Sequence, residues 1–184
     1  MNKQIAFALT FSVIMGGLIL LSNPDILNEP SRCDGFVYSA SLGYIKVGSV
    51  ISRGSFSLVM SGEAFESGKE VAIKIGVSES AGMERDKQIL SSVNGSVSFP
   101  LYYGSGIATC EKTFTKRTAE YPYIILERLG DPVSSLSSVV QNREERIGIA
   151  LSVATQILKG LEELHNRGYV LHDLYTHNVL MSRP

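Results

Sequence analysis

The spacing of apolar and polar residues changes along the chain, and the first segment is almost uniformly apolar. The run Ile5–Leu21 follows Lys3 and is broken by the polar stretch that begins at Asn23. A positive start, an apolar middle and a polar exit are typical of a secretory signal. The run also approaches the roughly 20 residues that span a bilayer, so a retained membrane anchor remains the alternative to a cleaved signal peptide.

Beyond this segment the pattern changes to short β-rich runs and then to helical spacing. The predicted strands are Tyr44–Ile51, Leu58–Met60, Val71–Ile75, Leu101–Tyr103 and Tyr123–Leu126. Apolar residues at intervals of three or four predict helices at Glu79–Ser92 and Ile147–His165, with Gly95 and Gly168 as their stops. Several strands with one helix among them, followed by helices, predict an α+β domain.

These patterns divide the chain into three parts. Residues 1–22 are assigned to a signal peptide or signal anchor, 23–43 to a linker and 44–184 to one folded domain. Because positive charge precedes the apolar run and Asp25 and Glu29 follow it, the domain is expected in the secretory pathway, either secreted or anchored with the domain lumenal or extracellular. Any membrane contact is expected only through an uncleaved N-terminal segment.

The lumenal location changes the interpretation of two further features. Asn94-Gly95-Ser96 is an N-glycosylation sequon, which makes Asn94 a candidate modification site. Cys33 and Cys110 have neither zinc-site nor C-x-x-C spacing, and they can either pair in an oxidising lumen or remain thiols.

Composition and charge exclude some classes of function. Hydrophobic residues make up 44% of the chain, enough for a core, and 19% charged residues argue against disorder. The net charge of −1 provides no basic surface for nucleic acid. We therefore expect a globular domain that binds no nucleic acid.

Three segments carry candidate phosphate chemistry. The turn around Gly54 joins two predicted strands, and the following strand Val71-Ala72-Ile73-Lys74 places one ammonium among apolar neighbours. A lysine in that setting reaches solvent or pairs with an anion. After the long helix, a loop sets the carboxylate of Asp173 and the carboxamide of Asn178 five residues apart.

In this order and spacing, the segments resemble the protein kinases, and their details resemble the casein kinase 1 family of serine/threonine kinases. The resemblance starts at Tyr44 and includes Leu126-Glu127-Arg128-Leu129-Gly130, which is similar to that family's linker between lobes. It implies an N-terminal lobe made of an antiparallel sheet plus one helix, with only the beginning of the helical C-terminal lobe.

The resemblance also assigns roles to individual residues. Lys74 would contact the nucleotide phosphates, with Asp86 as its carboxylate partner and Glu84 as a less well aligned substitute. Asp173 would accept the proton of the substrate hydroxyl, and Asn178 would bind metal. The nucleotide-binding positions are Ser52, Gly54, Ser57, Val59, Ala72, Lys74, Asp86, Glu127 and Leu129.

Several residues depart from the family pattern. Ser52 and Ser57 stand where two of the three turn glycines are expected, which weakens ATP binding without excluding it. Tyr175 replaces the lysine that serine/threonine kinases place near the transferred phosphate, so a positive charge is lost where negative charge must be stabilised.

The chain ends at Pro184, six residues after Asn178, and contains no Asp-Phe-Gly segment. The magnesium site is therefore expected to be incomplete and Asp173 to be vestigial. We expect an inactive kinase homologue, a pseudokinase, that can hold a nucleotide or a protein partner over the uncovered C-terminal surface. The alternative is an active serine/threonine kinase completed by a missing C-terminal half.

Overall fold

A computed structural model describes residues 5–7, 30–33, 35–54, 57–76, 81–112, 115–136, 140–172 and 174–183. The chain forms two compact units. The sheet unit comprises the described residues of Ser12–Lys87 and Tyr102–Arg128, and the helical unit those of Met1–Phe11, Gln88–Leu101 and Leu129–Pro184.

The sheet unit contains one antiparallel sheet of seven strands, in the order β2-β7-β8-β6-β5-β4-β3. Its strands are β2 (Pro30–Cys33), β3 (Phe36–Ser39), β4 (Gly43–Arg53), β5 (Ser57–Ala64), β6 (Glu70–Gly76), β7 (Tyr102–Lys112) and β8 (Thr118–Glu127). All five predicted strands are present, and most are longer than the sequence indicates. Two further strands, β2 and β3, lie within the stretch 23–43, where the sequence pattern predicts none.

Alternating side chains place the core on one face of this sheet, because successive residues of a strand point to opposite faces. The largest fully buried members of that core are Ile45, Leu58, Val71, Ile73, Ile75 and Ile125. Gly62 lies among them, and a Cβ there would come within 2.7–2.9 Å of the Ile73, Ile45 and Val71 side chains. Glycine at this position therefore leaves room for apolar side chains of the two neighbouring strands.

The sheet curls until β3 contacts β7. The Tyr123 hydroxyl donates to the Tyr38 carbonyl at 2.8 Å, and the Ser39 hydroxyl donates to the Tyr103 carbonyl at 2.6 Å. These hydrogen bonds satisfy polar groups that the curled sheet removes from water. The apolar face of the sheet is thereby enclosed.

A disulfide joins Cys33 to Cys110, which are direct partners in the β2–β7 ladder. Both residues are buried within the sheet core. The pairing that the sequence leaves open is therefore formed in the structure.

Helix α1 (Ala81–Ser92) follows β6, and the turn after it contains Gly95 at φ +90°. The long helix α2 (Arg143–Asn166) begins at Asn142, whose side chain accepts hydrogen bonds from the backbone N–H groups of Glu144 and Glu145. This is an N-cap, which satisfies amide groups that have no partner within the helix. The helix ends before Gly168, which has φ +82°.

The helical unit also contains a short two-stranded sheet. Strand β9 (Val179–Met181) pairs antiparallel with β1 (Ile5–Phe7), which lies within the N-terminal apolar run. No helix among the described residues is long and apolar enough to cross a membrane.

The α+β prediction is confirmed. The architecture matches a kinase N-terminal lobe, a curled antiparallel sheet with one helix, followed by the beginning of a helical lobe.

Candidate functional site

Three of the predicted nucleotide-binding residues form one row across the sheet unit. Ser52 on β4 pairs with Val59 on β5, and Val59 pairs with Lys74 on β6. Opposite residues of an antiparallel pair project from the same face, so these three side chains share a surface on the side away from the core. Ala72, two residues from Lys74, lies on that surface as well.

The turn between β4 and β5 contains the next two predicted residues. The Gly54 amide donates to the Ser57 carbonyl at 2.9 Å, which closes the hairpin, and residues 55–56 lie outside the described residues. Gly54 is exposed, whereas Ser57 is buried with 8% of its surface accessible. A Cβ at Gly54 would meet its nearest neighbour at 3.6 Å, so packing alone does not require glycine there.

Lys74 and Asp86 form a buried ion pair. Lys74 Nζ lies 2.5 Å from Asp86 Oδ2, and the two residues are 6% and 2% exposed. Asp86 lies on α1 between Glu84 and Lys87, which pair with each other on the exposed side of the helix. The structure therefore brings Lys74 together with Asp86, while Glu84 pairs with Lys87.

The electrostatics of this pair are set by burial. Removal from water raises the pKa of the Asp86 carboxyl above its ordinary value of 3.8, and the charges of Lys74 and Arg85 offset part of that rise. Among the described residues, Asp86 Oδ1 has no hydrogen-bond partner. The carboxylate thus depends on Lys74 for much of its stabilisation.

The predicted linker residues fall in both units. Glu127 ends β8 and pairs with Val71 in the sheet unit. Leu129 is buried in the helical unit, where the next residues run beside β9: the Gly130 amide donates to the Met181 carbonyl, and the Met181 amide to the Asp131 carbonyl. Leu129 therefore begins a segment held to the strand that follows Asn178.

Asn178 ends a single 3-10 turn, Thr176–Asn178, directly before β9. Its backbone amide donates to the Tyr175 carbonyl at 2.9 Å, and the residue is 8% exposed. The Tyr175 ring stacks on the His177 ring with centroids 5.4 Å apart. Asp173, the predicted catalytic residue, lies outside the described residues.

Metal ligands can be assessed only in the described part of the chain. There, no group of three or more His, Cys, Asp or Glu side chains is arranged to hold a metal ion. Of the residues that the sequence connects with metal, the structure describes Asn178, which supplies one carboxamide.

The family model of the protein kinase domain matches residues 45–184, most of the chain. The chain belongs to the protein kinase family. The match begins within β4 and continues through the Asn178 loop, so β2 and β3 of the sheet unit precede it.

Sequence reasoning missed one residue of the sheet surface that carries Ser52, Val59 and Lys74. Ile124 on β8 pairs with Lys74, so it extends the row formed by Ser52, Val59 and Lys74. It is 1% exposed although its neighbours Tyr123 and Ile125 belong to the core on the other face. Alternation along β8 would have placed Ile124 on this surface. However, consecutive residues of the strand are apolar, so the sequence does not show which face of β8 each residue occupies.

Proposed function

We propose that this kinase domain binds a nucleotide through its sheet unit and does not transfer phosphate. We further propose that it derives from serine/threonine kinases similar to casein kinase 1. The buried Lys74–Asp86 ion pair carries the proposal, because protein kinases require the corresponding lysine–carboxylate pair to present an ammonium to the nucleotide phosphates.

The residues of the sheet unit fit a nucleotide in part. Ser52, Val59, Ala72 and Lys74 share one surface, which offers apolar contacts beside one cation. Serine at positions 52 and 57 restricts how closely the turn backbone approaches a phosphate, since glycine tolerates backbone angles that serine does not. We therefore expect weak nucleotide binding.

Phosphoryl transfer places different demands on the protein. It needs positive charge at the transferred phosphate and metal ions that neutralise the developing negative charge. Tyr175 brings a stacked ring instead of an ammonium, and Asn178 supplies a single neutral ligand. Magnesium, if bound with ATP, would neutralise phosphate charge, and Asn178 is the described residue that would help to hold it. The loss of charge at Tyr175 supports an inactive domain.

The alternative is an active serine/threonine kinase. The same Lys74–Asp86 pair favours it, since an intact pair belongs to the catalytically competent arrangement of kinases. Asp173 would then position the substrate hydroxyl, and the remaining metal ligands would come from additional chain.

Two measurements on the purified full chain test these functions. We expect ATP to raise the thermal unfolding temperature, because a ligand that binds only the folded state stabilises it. We expect no phosphotransfer to serine/threonine peptides with magnesium and ATP. The test variant is Ala72→Leu, which fills the proposed surface. The matched control is Glu84→Gln, which alters only an exposed pair.

The ATP measurement tests nucleotide binding, and the phosphotransfer measurement tests catalysis. An ATP response that Ala72→Leu reduces and Glu84→Gln preserves supports nucleotide binding, whereas no response to ATP refutes it. Turnover that Asp173→Asn abolishes would establish the active kinase and rule out the inactive one.

We also propose that the chain enters the secretory pathway, where its domain is lumenal or extracellular. The order of charge and apolar residues in the N-terminal segment supports this location, as does the Cys33–Cys110 bond, since disulfides persist in oxidising compartments. The membrane, if involved, would be contacted through the N-terminal segment.

A protein partner is proposed at α2. Ile147, Leu151 and Leu158 are 51%, 65% and 66% exposed, and their spacing places them along one side of the helix. Such an apolar stripe fits an apolar helix of another chain. In a purified sample, the helix available for this contact is α2 of a second copy.

We expect the purified chain to dimerise with increasing concentration, as measured by sedimentation velocity. Leu151→Glu with Leu158→Glu should shift it to the monomer, because both charges would be buried in the contact. Lys159→Glu, an exposed change on another side of α2, is the control. A wild-type chain that stays monomeric at high concentration would refute self-association through this helix.

A further inference from the structure

The turn that follows α1 is open on its outer side. Asn94 and Gly95 are exposed, and a Cβ added to Gly95 would have no heavy atom within 4 Å. Val97 is 69% exposed. A bulky group attached to this turn would therefore extend into solvent without displacing packed side chains.

The turn is also well ordered by its own hydrogen bonds. The Ser96 amide donates to the Val93 carbonyl at 3.0 Å, and the Ser96 hydroxyl donates to Glu163 Oε2 at 2.5 Å. Glu163 in turn pairs with Arg167 at 3.1 Å. The Ser96 hydroxyl thus has a structural role within the helical unit, and a modification of the Asn94 side chain does not require its loss.

We propose that Asn94 carries an N-linked oligosaccharide in the mature protein. The proposal rests on the lumenal location proposed above, and the disulfide supplies an independent sign of that location. Asn94-Gly95-Ser96 is the one Asn-x-Ser/Thr sequence in the chain with no proline at x. Exposure, open space and an oxidising compartment therefore coincide at the single acceptor sequence.

The covalent step uses a lipid-linked oligosaccharide diphosphate as co-substrate. The Asn94 side-chain nitrogen Nδ2 bonds to C1 of the reducing-end sugar, and the bond from C1 to the diphosphate oxygen breaks. The lipid diphosphate leaves, and one amide proton passes to a base of the oligosaccharide transferase. The Ser96 hydroxyl is required for recognition of the acceptor sequence but is not itself modified.

The test uses the full chain with its own N-terminal segment, expressed in eukaryotic cells. An amidase that removes N-linked glycans converts the carrier asparagine into aspartate, which peptide mass spectrometry detects. We expect one glycan in the wild-type chain and complete loss of it in Asn94→Gln. Ser96→Thr should retain the glycan, because threonine also completes the acceptor sequence.

Two further variants separate the two roles of Ser96. Ser96→Ala should lose the glycan and also lower the melting temperature, since it removes the hydrogen bond to Glu163. Glu163→Gln should retain the glycan. These results distinguish loss of the acceptor sequence from a disturbed turn.

The state of the cysteines is measured in the same sample. An unmodified Asn94 in a chain whose Cys33–Cys110 bond has formed overturns the proposal and leaves the lumenal location standing. An unmodified Asn94 in a chain with both cysteines reduced overturns the proposal together with the location.

Discussion

Lys74→Met is expected to lower the free energy of unfolding by about 3–5 kcal/mol, the usual cost of breaking a buried ion pair on one side. The Asp86 carboxylate would remain 2% exposed without its ammonium partner. Chemical denaturation followed by circular dichroism measures the change. Glu84→Gln removes an exposed pair on the same helix and should cost no more than about 1 kcal/mol.

A second substitution shows whether the cost comes from the stranded charge. Lys74→Met combined with Asp86→Leu removes both charges and should recover most of the lost stability, because buried pairs replaced by apolar residues are often neutral. If the double variant were as unstable as the sum of the two single variants, the ion-pair interpretation would be wrong.

The effect of Lys74→Met should also depend on pH. Burial already raises the pKa of Asp86, and removing the ammonium removes a charge that lowers it, so the folded-state pKa of the variant is higher still. Between the raised folded-state pKa of the wild type and the still higher one of the variant, the folded variant keeps a proton that the folded wild type has lost. The stability deficit therefore grows as the pH rises through this window, and stays constant above it.

Removing the disulfide with Cys33→Ser and Cys110→Ser is expected to cost about 4 kcal/mol, because the bond closes a long loop and restricts the unfolded chain. The two cysteines are separated by 77 positions. Denaturation of the wild-type and variant proteins, each with and without a thiol reductant, provides the measurement.

The reductant supplies the control for this prediction. It should lower the stability of the wild-type protein to that of the double variant, and it should leave the double variant unchanged. Equal stability of the oxidised wild type and the variant would mean that the bond contributes nothing to the folded state.

How much of the structure the sequence predicts can be judged from particular elements. The core strands β5 and β6 and the helix α2 were predicted because alternation and helical spacing depend on consecutive residues. The edge strands β2 and β3 were missed, since each has four residues and the two are separated by Asp34-Gly35, which is typical of a turn. Short strands carry too few positions for a periodic signal.

In the candidate site too, some residues have a recognisable sequence signal and others have none. Lys74 and Asn178 were found because short motifs carry them, whereas Ile124 was missed because a strand apolar on both faces hides its orientation. The choice between Asp86 and Glu84 was left to an alignment. The structure decides it through the packing of α1, which buries Asp86 and exposes Glu84.

By itself, the sequence determined that this is an α+β domain of kinase type, because local periodicity and closely spaced motifs do not require knowledge of distant contacts. The tertiary structure alone decided the partners of separated residues. Cys33 meets Cys110 across 77 positions, and Tyr38 meets Tyr123 across 85. Those pairs depend on strand register and on the curl of the sheet, which no short stretch of sequence encodes.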